Sequence, residues 1–156
     1  MGALAAGLPG PEVDSKALRA TLLAASPPRA VIYGHLLSEV VRKGEAEAVA
    51  VLRCEPMVLK ARLAKRGYPA AKVRQNVEAE LIGVVLDDCV SRFGKDKVRE
   101  YDTTSGDGNM VARSIARDVR SRREPPARWT DWTLDYDSPT KLTSLLSAAR
   151  AAPGST

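Results

Sequence analysis

Five consecutive apolar residues, Ala48-Val49-Ala50-Val51-Leu52, constrain this chain more than any other feature. The run has the length of a strand and does not alternate with polar residues. It therefore predicts a strand covered on both faces, as in a parallel sheet. Segments of strand and helix length alternate around it. Upstream, Asp14 or Ser15 can cap a helix carrying Ala17, Leu18, Leu22 and Leu23, which Pro27-Pro28 ends. Ala30-Val31-Ile32-Tyr33 reads as a short strand, with a helix over about 36–42 after it. Downstream, Pro56 suits the first turn of a helix that buries Leu59 and Leu63 and stops near Gly67. The spacing of Val73, Val77, Leu81, Val84, Val85 and Leu86 predicts one long helix over about 69–92. Residues 97–101 read as a more exposed strand nearer an edge, 102–108 as a polar loop, and 110–122 as an amphipathic helix. Strands alternating with helices of this length imply an α/β layered fold.

The length of 156 residues fits one domain with a short appendage. Aromatic residues make up only 4%, so the core must be built from Val, Leu, Ile and Ala. No apolar run approaches the roughly 20 residues a membrane span needs. Residues 1–12, with Gly2, Gly7, Pro9, Gly10 and Pro11, read as a flexible leader without the basic start of a signal peptide. Cys54 and Cys89 stand far apart with no second pair. The expectation is a cytoplasmic protein with two buried reduced thiols, no metal cluster and no membrane contact.

Residues 124–156 differ in kind. Pro125-Pro126 breaks the preceding helix, Trp129 and Trp132 follow, and Asp131, Asp135 and Asp137 make the segment locally acidic. Pro139 can start a short helix with Leu142, Leu145 and Leu146, which either packs back through the tryptophans or docks on a partner. A net charge of +5 favours contact with polyanions. Arg113, Arg117, Arg120, Arg122, Arg123 and Arg128 crowd one stretch, either as a solvated helix face or as a patch for RNA or an acidic protein surface.

The block at 49–80 carries the most specific chemistry. A strand ends at Leu52-Arg53, and Arg62, Lys65, Arg66 and Lys72 gather around Gly67-Tyr68. A glycine hinge among guanidinium and ammonium groups suits a mobile lid over a triphosphate. The cations neutralise charge during phosphoryl transfer, and closure excludes water. The same residues also suit a basic helix end on which Gly67 is only a C-cap.

The order Leu-Arg, Arg-Leu, Arg-Gly-Tyr, Lys, then Asn76-Val77-Glu78-Ala79-Glu80 resembles the lid region of the adenylate kinase isoenzyme six family. Upstream, Val31-Ile32-Tyr33-Gly34-His35-Leu36 is similar to that family's strand ending in Asp-x-His. Downstream, Asp102-Thr103-Thr104 is similar to its loop after the last strand, near the adenine. The similarity runs over about 13–120. It implies an incomplete P-loop nucleoside-monophosphate-kinase-like sheet with flanking helices over 13–123 and a lid at 65–75. It further implies Mg-ATP and AMP as ligands, transfer of phosphate to AMP or ATP hydrolysis, and a link to small-subunit ribosome maturation. The implied partners are a small-subunit ribosomal protein and pre-ribosomal RNA. The alternative is a non-catalytic ribosome-assembly module. By the same resemblance His35 would be the catalytic histidine, Lys65, Arg66, Gly67 and Tyr68 the lid, and Arg66, Lys72, Thr103 and Thr104 nucleotide contacts.

Two departures stand against full activity. Tyr33 replaces the aspartate of Asp-x-His, and a phenol is a poor ligand for a hard cation. The chain also contains no Gly-x-x-x-x-Gly-Lys-Ser/Thr. Gly7-Leu8-Pro9-Gly10 continues into Pro11-Glu12, and Gly94-Lys95-Asp96 lacks both the upstream glycine and the hydroxyl. Three expectations follow: a start placed too far downstream in the gene, a degenerate paralogue, or a second polypeptide that supplies the loop. In the family the loop's strand lies between the strands expected at 30–33 and 48–53. Those two must therefore pair directly or leave an apolar edge.

Overall fold

The computed structural model describes residues 14–27, 30–34, 37–126 and 128–147. Its centre is a two-stranded parallel sheet of β1 (Val49–Arg53) and β2 (Val98–Asp102), with Val51 opposite Glu100 and Arg53 opposite Asp102. Between the strands run α3 (Pro56–Lys65), α4 (Ala70–Leu81) and α5 (Val84–Phe93). Before β1 come α1 (Ser15–Ala25) and the single turn α2 (Leu37–Val40). After β2 come α6 (Gly108–Arg120), a 3-10 turn at Trp132–Leu134 and α7 (Pro139–Leu146). The fold is α/β with a parallel sheet, as the alternating pattern predicts. No helix among the described residues is long and apolar enough to cross a membrane.

Local chemistry explains most helix ends. Asp14 caps α1 by accepting from the Lys16 and Ala17 amides. Pro56 opens α3, where its missing N–H leaves no bond unmade. Gly67 takes a left-handed φ of 74° after α3, and the Gly67 and Tyr68 amides donate back to the Ala64 and Leu63 carbonyls. This paired arrangement is the glycine-terminated helix end expected on sequence grounds. Arg19 of α1 pairs with Glu45 in the turn before β1, and that guanidinium holds the exposed Glu45 carboxyl down at about 2.

Two buried clusters hold the layers together. One sits on a single face of the sheet and joins Val51 and Val98 to Leu86, Cys89 and Phe93 of α5, with Trp129 packed against it. The other joins Leu63 of α3 and Val73, Val77 and Leu81 of α4 to Leu145 of α7, with Trp132 and Tyr136 against it. The segment after the double proline therefore packs back on the domain through both tryptophans. Cys54 and Cys89 are buried free thiols, and burial raises the pKa of each.

Several expectations are corrected. Ala30-Val31-Ile32-Tyr33 is not a strand: Val31 is 96% and Tyr33 93% exposed. A strand needs a neighbour for its N–H and C=O groups, and among the described residues only β1 and β2 pair. The predicted helix over 69–92 is two helices, broken at Gly83, which adopts a left-handed φ of 71°. The helix expected over 36–42 is the shorter α2. β1 is not covered on both faces: Val51 and Arg53 are buried, but Leu52 on the other face is 57% exposed. β2, expected to be the more exposed strand, has Val98 fully buried, three half-buried residues and only Asp102 exposed.

Candidate functional site

In an open α/β sheet, ligands meet the segments that follow the carboxyl ends of the strands. Parallel pairing puts those ends side by side here, so Cys54-Glu55 after β1 lies next to Thr103-Thr104 after β2. Hydrogen bonds stitch the two segments together. The Thr103 amide and hydroxyl both donate to the Arg53 carbonyl, at 2.8 and 2.7 Å. The Glu55 amide donates to the Thr104 hydroxyl at 2.9 Å, and that hydroxyl donates to Asp102. Both threonine hydroxyls are thus committed to the protein, as are the Thr103 and Thr104 amides, which donate to the Arg53 carbonyl and to Asp102.

Arg62 connects this loop to the helix that bears the basic turn. Its guanidinium donates to the Thr103 carbonyl at 2.9 Å, the Thr104 carbonyl at 2.7 Å and the Cys54 sulfur at 3.2 Å. A single planar fork thereby fixes the loop to α3. A Cβ on Gly106 would stand 3.4 Å from Arg62 Nη2, so the loop passes close under the guanidinium. Sequence reasoning grouped Arg62 with the cations around Gly67. Instead it is half-buried and turned toward the sheet. Its position one turn before Arg66, beside buried Leu63, was the available signal.

The remaining cations of the block stay on the surface. Lys65, the last residue of α3, and Arg66, Gly67 and Tyr68 in the turn that follows are all exposed, Tyr68 at 45%. Lys72, in the first turn of α4, is exposed and donates to Gln75 at 3.1 Å. His35 lies outside the described residues.

The site's base is a buried ionic node that sequence reasoning missed. Arg53 is 2% exposed; its Nε donates to Glu80 at 2.7 Å and its Nη1 lies 3.4 Å from Glu100. The same Glu80 oxygen accepts from the Cys54 amide at 3.1 Å and from Trp132 Nε1 at 3.0 Å. Glu55 caps α3 by accepting from the Val58 amide at 2.8 Å and also accepts from the Tyr136 hydroxyl. Burial first, and then the Glu55 carboxylate, push the Tyr136 phenol well above its ordinary pKa.

Among the described residues none make a phosphate cradle or a magnesium site. The two long helices that start beyond the strand ends, α3 and α6, open on carboxylates: Glu55 takes the Val58 amide and Asp107 the Met110 amide. A carboxylate in that position occupies the amide and repels an anion. Among the described residues no three His, Cys, Asp or Glu side chains converge to hold a metal, and Tyr33 is exposed.

No protein-family model matches the chain. Sequence relatives do. The chain is 40% identical over 104 residues to a Natronomonas pharaonis protein named "Putative adenylate kinase", across 67% of this chain and 60% of that one. A Methanocaldococcus jannaschii protein of the same name is 39% identical over 90 residues, across 56% of this chain and 48% of its own. A Thermococcus onnurineus protein, also of that name, is 34% identical over 107 residues, across 69% and 56%. The chain is thus a sequence homologue of archaeal proteins that carry this name. It spans about half to three-fifths of the length of these relatives.

Proposed function

We propose that this chain forms the lid-bearing, nucleotide-facing part of an ATP-dependent nucleoside monophosphate kinase or ATPase. The observation that carries this reading is the Arg62 brace, which ties the helix bearing Lys65 and Arg66 to the loop at the strand ends. In this reading Lys65, Arg66 and Lys72 meet the phosphates of Mg-ATP. The 103–104 loop lies near the adenine, Gly67-Tyr68 gives the turn its freedom, and His35 serves the reaction centre. AMP accepts the terminal phosphate and two molecules of ADP result. A guanidinium that arrives only on closure stabilises charge as it develops in transfer, without binding the ground state equally well.

Transfer requires a glycine-rich phosphate loop, and this reading puts it on a further polypeptide element that adds to the side of β1 left unpaired among the described residues. Isothermal titration of this chain with Mg-ATP is expected to give millimolar binding or none. Adding the part of the Natronomonas pharaonis relative that this chain does not match should improve binding by on the order of tenfold or more and start AMP-dependent ADP formation. Micromolar binding by the chain alone would overturn the need for the loop. No gain from the added part would overturn the kinase reading.

A second reading has its own observation. Arg113, Arg117 and Arg120 recur at helical spacing on α6 with exposed side chains. Such a row suits the phosphate backbone of RNA, and a ribosome-assembly module that binds pre-ribosomal RNA or a small-subunit ribosomal protein would use it. Binding of a single-stranded RNA probe without nucleotide should weaken as salt rises, and changing all three to alanine should flatten that dependence. Binding that ignores salt, or ignores the substitutions, removes this reading.

A further inference from the structure

The segment after the double proline touches both buried clusters, and its contacts fall on the two roots of the α3–α4 pair. On the sheet side, Trp129 packs against the cluster of Val51, Phe93 and Val98. The Thr130 amide and hydroxyl both donate to Glu100 of β2, at 2.6 and 2.9 Å, and its carbonyl accepts from Arg53 at 3.3 Å. On the helical side, Trp132 Nε1 donates to Glu80 in the last turn of α4. The Tyr136 hydroxyl donates to Glu55, the residue that caps α3. Farther along, Lys60 Nζ of α3 donates to the Ser144 carbonyl at 2.8 Å. Leu145 is 1% exposed in one cluster with Leu63 of α3 and Val73 and Val77 of α4.

We infer that residues 129–146 are a strap that clamps the α3–α4 pair to the sheet, so that only the turn at 66–69 moves when the site opens and closes. The inference rests on reading that turn as a lid and says how much of it can travel. A swing of the whole helical pair would carry α7 with it, because Leu145 sits in the cluster that α3 and α4 build. It would also have to break the bonds to Glu55 and Glu80, both made to carboxylates and so among the stronger neutral-to-charged kind. The turn has no such restraint: Lys65 through Pro69 are exposed, and Gly67 holds the left-handed φ that lets the chain reverse. Closure by a four-residue tip brings Arg66 in or out and leaves Arg62, one turn back, on the loop it braces.

Limited trypsin digestion with mass spectrometry tests the clamp, since basic residues mark every part of the pair. In the native chain, cutting within α3 and α4 should concentrate at Lys65 and Arg66, with Lys60, Arg62 and Arg74 spared. The double variant Trp132→Phe with Tyr136→Phe removes both latch donors and keeps an aromatic ring at each position, a smaller one at 132. It should speed cutting at Arg62 and Arg74 by on the order of tenfold. Amide exchange at Val51, Phe93 and Val98 should stay unchanged, which separates a freed pair from general unfolding. Equal cutting in both proteins would overturn the clamp, as would loss of protection in the sheet together with the pair. Because no nucleotide is present, the result stands whether or not Arg66 meets phosphate. Failure of the kinase reading shows in the titration with Mg-ATP instead.

Discussion

Replacing Arg53 with alanine will lower the free energy of unfolding by about 3–5 kcal/mol, read as a fall in the urea midpoint with little change in slope. The size follows from what the guanidinium leaves behind. Glu80 and Glu100 have side chains only 14% and 11% exposed, and both point at Arg53. Without it, two largely buried carboxylates lose their cation, and the carbonyls of Glu80 and Thr130 lose the guanidinium bonds at 3.2 and 3.3 Å. Lysine should rescue only part of the loss, because one ammonium cannot reach four acceptors in a plane. Adding Glu80→Gln to Arg53→Ala should recover stability, since it removes one of the stranded charges. A loss below about 1 kcal/mol would mean that water shares the node and that the pair is no more than a surface bridge.

Leu145→Ala should have the next largest effect, about 2.7–5 kcal/mol, the range measured where buried leucines are cut back to alanine. At 1% exposure its side chain is among the most completely buried in the described structure. It packs in one cluster with Leu63 of α3 and Val73, Val77 and Leu81 of α4, so several side chains lose contacts when it is cut back. Unfolding followed by tryptophan fluorescence and by circular dichroism should shift together, because Trp132 and α7 share this cluster. If only the fluorescence moved, 129–147 would be an independently melting appendage. That outcome would also remove the basis for a strap.

Residues with one strong local preference behaved as the sequence pattern implies. Asp14 caps α1, Pro56 opens α3, Gly67 closes it, and the apolar run lies in a parallel strand. The three helix ends are decided by sterics or hydrogen bonds within a few residues, whereas the strand also needs β2, 49 residues on. Gly83 was misread because Val77, Leu81, Val84 and Leu86 keep helical spacing across it. What breaks the helix is the left-handed φ of 71° that Gly83 adopts, with the Arg53 guanidinium in ordinary contact 3.8 Å from where a Cβ would stand. The stretch Ala30-Val31-Ile32-Tyr33 was misread for the opposite reason. Its composition suits a strand, but a strand exists only in a pair.

The candidate site divides the same way. The basic turn at Arg66-Gly67-Tyr68, the lack of Gly-x-x-x-x-Gly-Lys-Ser/Thr and the tyrosine at position 33 are facts of the sequence, and the archaeal relatives carry the adenylate kinase name that the resemblance implies. That Arg62 turns inward while Arg66 stays out could not be read from two identical side chains one turn apart. The difference comes from where α3 lies over the loop after β2. Nor could spacing show that Glu80 receives a bond from Trp132, 52 residues away. The sequence by itself determined which residues start, stop and line the helices, because those choices are settled within a turn. Only the tertiary structure decided which arginines are buried as braces, and that the tryptophan segment ties the sheet to the helical pair. Burying a charge is tolerable only where distant carboxylates and carbonyls converge on it, and that convergence exists only once the chain has folded.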